Sequence, residues 1–143
     1  MRWRPASGTR LRMEMTTMQL SGGEAIAAAV RANGIDRVFG LPGAQIYPLF
    51  DGFHSSGIEV LVPRHEQTAA YMAMGYAKSS GRTGVFAVVP GPGVLNTTAA
   101  LCTAMGNCSP VLCLTGQVPS AYLGKHSASP RRGLSTPTSR TDS

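Results

Sequence analysis

The chain's 143 residues are enough for one domain with one core, and 43% apolar with 14% charged residues describes a globular protein. The formal net charge of +6 lies wholly in the two ends, because between Ser21 and Ser120 five acids (Glu24, Asp36, Asp51, Glu59, Glu66) face five bases (Arg31, Arg37, Arg64, Lys78, Arg82). A neutral middle excludes a basic nucleic-acid surface as the organising feature, and no apolar run approaches the ~18 residues of a membrane span.

Residues 1–20 are arginine-rich, nearly free of acids and without periodicity, and they contain Met13, Met15 and Met18. They read either as a weak targeting segment or, preferably, as an over-extended start, so a disordered or wrongly included extension is expected over 1–20. At Ser21 the chain becomes regular. Ser21 with Glu24 three residues on forms a capping box for a helix through about Ala32, stopped at Asn33-Gly34. Arg37–Phe39 is a short strand, Gly40-Leu41-Pro42-Gly43 a tight turn, and Ala44–Ser55 a helix with Ile46, Leu49, Phe50 and Phe53 at helical spacing. Ile58–Val62 is β-branched and apolar, a buried strand that Pro63 ends. The helix that follows carries small and apolar residues on most faces (Ala69, Ala73, Ala77; Ala70, Met74; Met72, Tyr76) and is expected to be buried all round. Gly84–Val89 is a third strand and Pro90-Gly91-Pro92-Gly93 a turn. Val94–Asn107 is a fourth helix with Leu95, Ala99 and Cys102 on one side, and Val111–Leu114 a fourth strand.

Strands and helices in alternation, with near-continuous apolar strands, call for a doubly wound α/β domain: a parallel sheet with helices on both faces, flavodoxin-like. Ligands in such folds bind beyond the carboxyl ends of the strands. The unusual loops all fall there: Leu41-Pro42-Gly43, Arg64-His65-Glu66, Gly91-Pro92-Gly93 and Gly116-Gln117-Val118-Pro119.

Several chemistries fail on the residues. Gly91-Pro92-Gly93-Val94-Leu95-Asn96 lacks the third glycine of the dinucleotide fingerprint, no phosphate-loop motif occurs, and the prolines remove amide donors. No G-x-S-x-G is present. Scattered acids and histidines offer no metal cluster. Cys102, Cys108 and Cys113 leave an odd thiol and form no C-x-x-C, so they read as reduced core or near-core thiols of a cytosolic protein. His54 reads as an exposed helix-end residue. His65 has two equal readings, a catalytic one and a supporting or substrate-side one. Glu66, in the first turn of its helix, is either an ordinary N-terminal helix acid or a carboxyl group poised between the helix end, which favours the charged form, and burial, which favours the neutral one. What remains is a glycine-lined, mainly apolar edge with one acid, suited to a flat neutral heterocycle.

GLPGAQIYPLFDG, PRHEQTAAYMAMGYAKSSGRTGV and PGPGVLNTTAALCTAMGNCSPVLCLTGQVPS, in that order from about Leu20 to about Gly124, resemble the N-terminal pyrimidine-binding domain of thiamine-diphosphate enzymes of the acetolactate synthase type. The resemblance implies that Glu66 hydrogen-bonds N1′ of the cofactor's aminopyrimidine and promotes its imino tautomer, which deprotonates the thiazolium carbon that attacks a 2-oxo acid. It implies cofactor-side positions for Gly43, Gly93 and Asn96, and a substrate-channel role for Val118 and Pro119, with His65 beside them.

The chain also departs from that family. Met74 stands where relatives often carry Glu, and the family's Asp-Ala-Phe-Gln-Glu stretch after T-G-Q-V-P is replaced by a Ser/Thr/Pro/Arg segment. Absent too is the family's domain whose G-D-G…N motif holds Mg²⁺ and the diphosphate. The expected organisation is therefore 1–20 extension, 21–124 pyrimidine-binding domain, incomplete, and 125–143 disordered, non-family tail, from a truncated or frameshifted product. The expected protein is cytoplasmic and binds thiamine diphosphate, with no metal site of its own and no nucleic-acid or membrane partner. It is inactive alone and acts as a homo-oligomer or with a full-length relative. The rivals are a non-catalytic fragment that only associates with such a relative, and a nucleic-acid binder driven by the basic ends.

Overall fold

The computed structural model describes residues 19–120. The expected extension, apart from Gln19 and Leu20, and the expected tail over 125–143 lie outside the described residues. Ser21 caps α1 (Gly22–Ala32): its Oγ accepts from the Glu24 amide at 3.2 Å, and the Glu24 carboxylate accepts from the Ser21 amide at 2.7 Å. The capping box read in the sequence is formed. β1 (Arg37–Gly40) leads to a 3₁₀ turn, Ala44–Ile46, and then to α2 (Tyr47–Ser55). The sequence reads one helix from Ala44; Pro48 has no amide hydrogen and sits in the first turn of α2, so the α-helix begins around it. β2 (Glu59–Leu61), α3 (Glu66–Ser80), β3 (Gly84–Val88), α4 (Pro92–Gly106) and β4 (Val111–Thr115) follow. Gly81, with φ of 70°, takes the left-handed conformation that closes α3.

The strands pair in the order β2-β1-β3-β4, all parallel, with Arg37 beside Glu59, Phe39 beside Phe86 and Phe86 beside Cys113. The two-residue period of the strands divides the core. Val38, Val85 and Ala87 pack with Ala27, Val30, Leu49 and Phe53 of α1 and α2. Phe39, Phe86 and Val88 point the other way, onto Ala69, Ala70, Ala73 and Ala100 of α3 and α4. Helices cover both faces, which is the doubly wound α/β fold expected.

Four expectations about packing are corrected. α3 is not buried all round: Ala69, Ala70, Ala73 and Ala77 are buried, while Tyr71, Gly75 and Lys78 are exposed. α4 turns Gly93, Thr97, Ala100 and Ala104 inwards, so the Leu95, Ala99 and Cys102 side faces out. Both results have one cause. α3 and α4 pack on each other and on the sheet through small residues, which let the backbones approach, and the larger side chains are left outside. The thiols are the third: Cys102 and Cys108 are exposed, and only Cys113, on β4, is half-buried. The fourth is the strand expected to be buried over Ile58–Val62: β2 lies at the sheet edge, so Ile58 is buried but Glu59 and Val62 are exposed and Val60 and Leu61 only half-buried.

Candidate functional site at the carboxyl edge of the sheet

Because all four strands are parallel, the loops after β1, β2, β3 and β4 emerge at one edge. Three of them are locked together. A β-carbon on Gly43 would overlap Val89 Cγ1, and one on Gly93 would lie 2.7 Å from Val89 Cγ2, so Val89 is wedged between the first and third loops. A β-carbon on Gly116 would lie 2.6 Å from the Gln45 carbonyl, which ties the fourth loop to the first. Gly43 has extended backbone (φ −162°), so it is required for space rather than for backbone freedom. Val89 was not singled out in the sequence, where it is simply the last residue of an apolar run.

The second loop delivers Glu66 as the first residue of α3. The preceding His65 caps that helix, its Nδ1 accepting from the Gln67 amide at 3.1 Å. The His65 ring is therefore committed at one nitrogen to structure, and it is exposed. Glu66 is half-buried, and its Oε2 accepts from Asn96 Nδ2 of α4 at 3.1 Å. These surroundings resolve the opposing pressures on this carboxyl. Its own backbone amide, then the Asn96 amide, hold it below the ordinary glutamate range; partial burial pushes weakly the other way, and His65 adds a small downward pull. Glu66 is thus a carboxylate in the free chain near neutral pH. Two other acids, Glu59 and Asp36, sit in exposed ion pairs with Arg37 at 2.7 Å and Arg82 at 3.5 Å. Glu66 instead has a neutral amide as its side-chain partner.

The structure therefore joins Glu66 to Asn96 directly and Gly43 to Gly93 through Val89. Val118 and Pro119 lie on the same edge, Val118 half-buried and its amide donating to Gln117 Oε1 at 2.9 Å. Among the described residues no hydrogen bond links either of them to Glu66 or Asn96. A cavity of about 690 Å³ lies elsewhere, lined by Val30, Asn33 and Ile35 near the end of α1 and by Leu112 and Leu114 of β4, and Glu66 does not border it.

The donor set fits part of thiamine diphosphate. A carboxylate with Oε2 engaged by Asn96 and no side-chain donor on Oε1 among the described residues, on an edge whose loops carry Gly43 and Gly93, suits a flat ring with a nitrogen at its rim. Among the described residues no group of three or more His, Cys, Asp or Glu could hold a cation. Among the same residues no helix is long and apolar enough to cross a membrane.

Residues 20–135 match the family described as thiamine pyrophosphate enzyme, N-terminal TPP binding domain. The chain is 41% identical over 105 residues to the acetolactate synthase isozyme 2 large subunit of Escherichia coli, a match covering 73% of this chain and 19% of that protein. It is 37% identical over 113 residues to the mitochondrial acetolactate synthase catalytic subunit of Saccharomyces cerevisiae, covering 78% and 16%. Against a probable 2-ketoarginine decarboxylase of Pseudomonas aeruginosa it is 37% identical over 142 residues, covering 96% and 25%. The chain thus spans a quarter or less of the length of these relatives. With a parallel α/β sheet, a glycine-locked carboxyl edge and this match over most of its length, the chain belongs to the family of N-terminal thiamine pyrophosphate-binding domains of thiamine pyrophosphate enzymes.

Proposed function

We propose that the chain supplies the pyrimidine-binding part of an acetolactate synthase-like decarboxylase or carboligase of 2-oxo acids, a lyase or transferase, with Glu66 as its catalytic residue. One observation carries this reading: a carboxylate stands at the start of α3, on the ligand edge of the sheet, with Oε2 engaged by Asn96 and Oε1 without a side-chain donor among the described residues. When bound, thiamine diphosphate supplies a nucleophilic carbon and an electron sink for decarboxylation and carbon–carbon bond formation. Glu66 Oε1 then holds or exchanges a proton with the ring nitrogen it meets. The loops at Gly43 and Gly93 wall the ring, and His65, Val118 and Pro119 line the side from which substrate arrives.

Mg²⁺ and the diphosphate are held by a part of the enzyme other than the described residues, in a second copy or a full-length relative. Leu95 and Met105 of α4 are 67% and 79% exposed, and two large apolar side chains left on one helix support a partner surface there. On this reading the chain alone does not turn over a 2-oxo acid. The free exposed thiols support a reducing, cytoplasmic setting.

A titration of the isotope-labelled chain with thiamine diphosphate and Mg²⁺, followed by amide NMR, tests the reading. Shifts at Glu66, Asn96 and the loops at Gly43 and Gly93 are expected at millimolar ligand. Shifts confined to the far ends of the strands, or none at about 10 mM, a concentration where even a binding free energy of roughly 4 kcal/mol would register, would overturn it.

A further inference from the structure

We propose that Asn96 is a positioning residue that acts through Glu66, fixing which carboxylate oxygen carries the exchangeable proton. This rests on the reading of Glu66 above and assigns Asn96 a partner within the protein instead of the cofactor.

Asn96 lies one turn into α4, and its own position is set by packing. Gly93 seats the first turn of α4 against Val89, and the buried Thr97 donates from Oγ1 to the Val94 carbonyl at 2.7 Å. From that anchored turn Asn96 reaches 30 residues back in the chain to Glu66. An Nδ2–H donating to Oε2 directs a new proton to the other oxygen, since Oε2 is already an acceptor. The donor is also neutral. A lysine or arginine there would add a full positive charge and hold Glu66 ionised, whereas an amide orients the group and leaves it able to take up a proton.

Few other charges compete. α4 and β3 carry no Asp, Glu, Lys, Arg or His; β1 carries only Arg37, paired with Glu59, and β4 only the thiol of Cys113. On α3 itself Tyr71, Tyr76 and Lys78 lie a turn or more beyond Glu66, and the loop before it carries the adjacent His65 and, two residues away, Arg64.

The test is the titration of the Glu66 side-chain carboxyl, followed by carbon NMR in the full chain without cofactor. Asn96→Ala should move the Glu66 titration up towards the ordinary glutamate range. Asn96→Asp, which keeps the shape but replaces the donor with a negative acceptor, should move it further up. A residue that merely packed would leave the titration unmoved in Asn96→Ala, whereas the added charge of Asp raises it in either case. Asn96 is exposed, and amide spectra of each variant report whether α4 is intact; if Ala disturbs it, Asn96→Leu, close in shape and without the donor, carries the measurement. An unchanged Glu66 titration in the folded variants, or equal shifts for Ala and Asp, would overturn the proposal. If the predicted order appears while thiamine diphosphate perturbs nothing near Glu66, the positioning role stands and the cofactor reading falls.

Discussion

Gly43 and Val89 are in such close contact that a single methyl on the glycine would occupy the space of Val89 Cγ1. Gly93 presses on the other methyl, with 2.7 Å between its would-be β-carbon and Val89 Cγ2. Valine is stiff about χ1 and cannot swing aside, so the loops must move if either glycine gains a side chain. Gly43→Ala is expected to destabilise the chain by about 1–3 kcal/mol, the range for overpacking. Val89→Ala should relieve most of that loss in the double variant. Urea unfolding of the two single variants and the double gives the coupling directly, and additive effects would mean that the wedge is not the source of the constraint.

The carboxylates at the two helix starts make stability depend on acid. Glu24 is held low by the Ser21 amide and then its hydroxyl, and Glu66 by its own amide and then Asn96. For a group whose folded value is depressed, the unfolded chain binds the proton first as pH falls. The stabilisation is therefore complete above the ordinary glutamate range and is lost as pH drops through the lower folded values. The urea midpoint should fall across that window, and Glu66→Gln should flatten the fall while leaving the Glu24 part in place. A pH profile identical to that of the unsubstituted chain would show that Glu66 gains nothing on folding.

Local physics explains what the sequence made legible. The Ser21–Glu24 box spans three residues, and the apolar runs around Val38 and Val85 report burial on both faces of a sheet, so these elements read correctly without any tertiary information. The exposed side of α4 did not. Leu95, Ala99 and Cys102 have the same helical spacing as Gly93, Thr97, Ala100 and Ala104, and the choice between the two rows depends on how near α3 lies. Hydrophobicity favours the first row; close helix packing selects the second. The site divides in the same way. Glu66 stands out by its place at a helix start, but its bond to Asn96 joins residues far apart in the chain, and the wedge at Val89 exists only once the first and third loops have met.

The thiols offer a check on the packing of α4 and β4. Cys102 and Cys108 are exposed, whereas Cys113 is half-buried and burial raises its pKa above the ordinary thiol value. Thiolate is the reacting species, so Cys113 is disfavoured both by access and by charge. With a chromogenic disulfide reagent near pH 8, two thiols should react fast and one at least about tenfold slower, the slow one accelerating as pH rises. Cys113→Ser should remove the slow phase alone. Three equal rates would place β4 at a more open edge than its contacts with β3 indicate.

Thiamine diphosphate should bind this chain on its own in the millimolar range, with a free energy of roughly 4 kcal/mol. The aminopyrimidine meets one carboxylate and the walls of a few loops, and any single hydrogen bond to a charged group contributes only about 1.5–3 kcal/mol before the cost of ordering the ligand. The diphosphate carries most of the ligand's charge and needs a cation or several donors. Among the described residues there is no cluster for a cation, and in the loop nearest the start of α4, Pro90 and Pro92 lack the amide hydrogens that would serve instead. Magnesium should therefore strengthen binding little. Calorimetric titration of the full chain, with and without Mg²⁺, measures both quantities. A dissociation constant of about a micromolar or tighter, worth roughly 8 kcal/mol, would require a diphosphate site in this chain, and a strong dependence on Mg²⁺ would put a metal ligand set beside it.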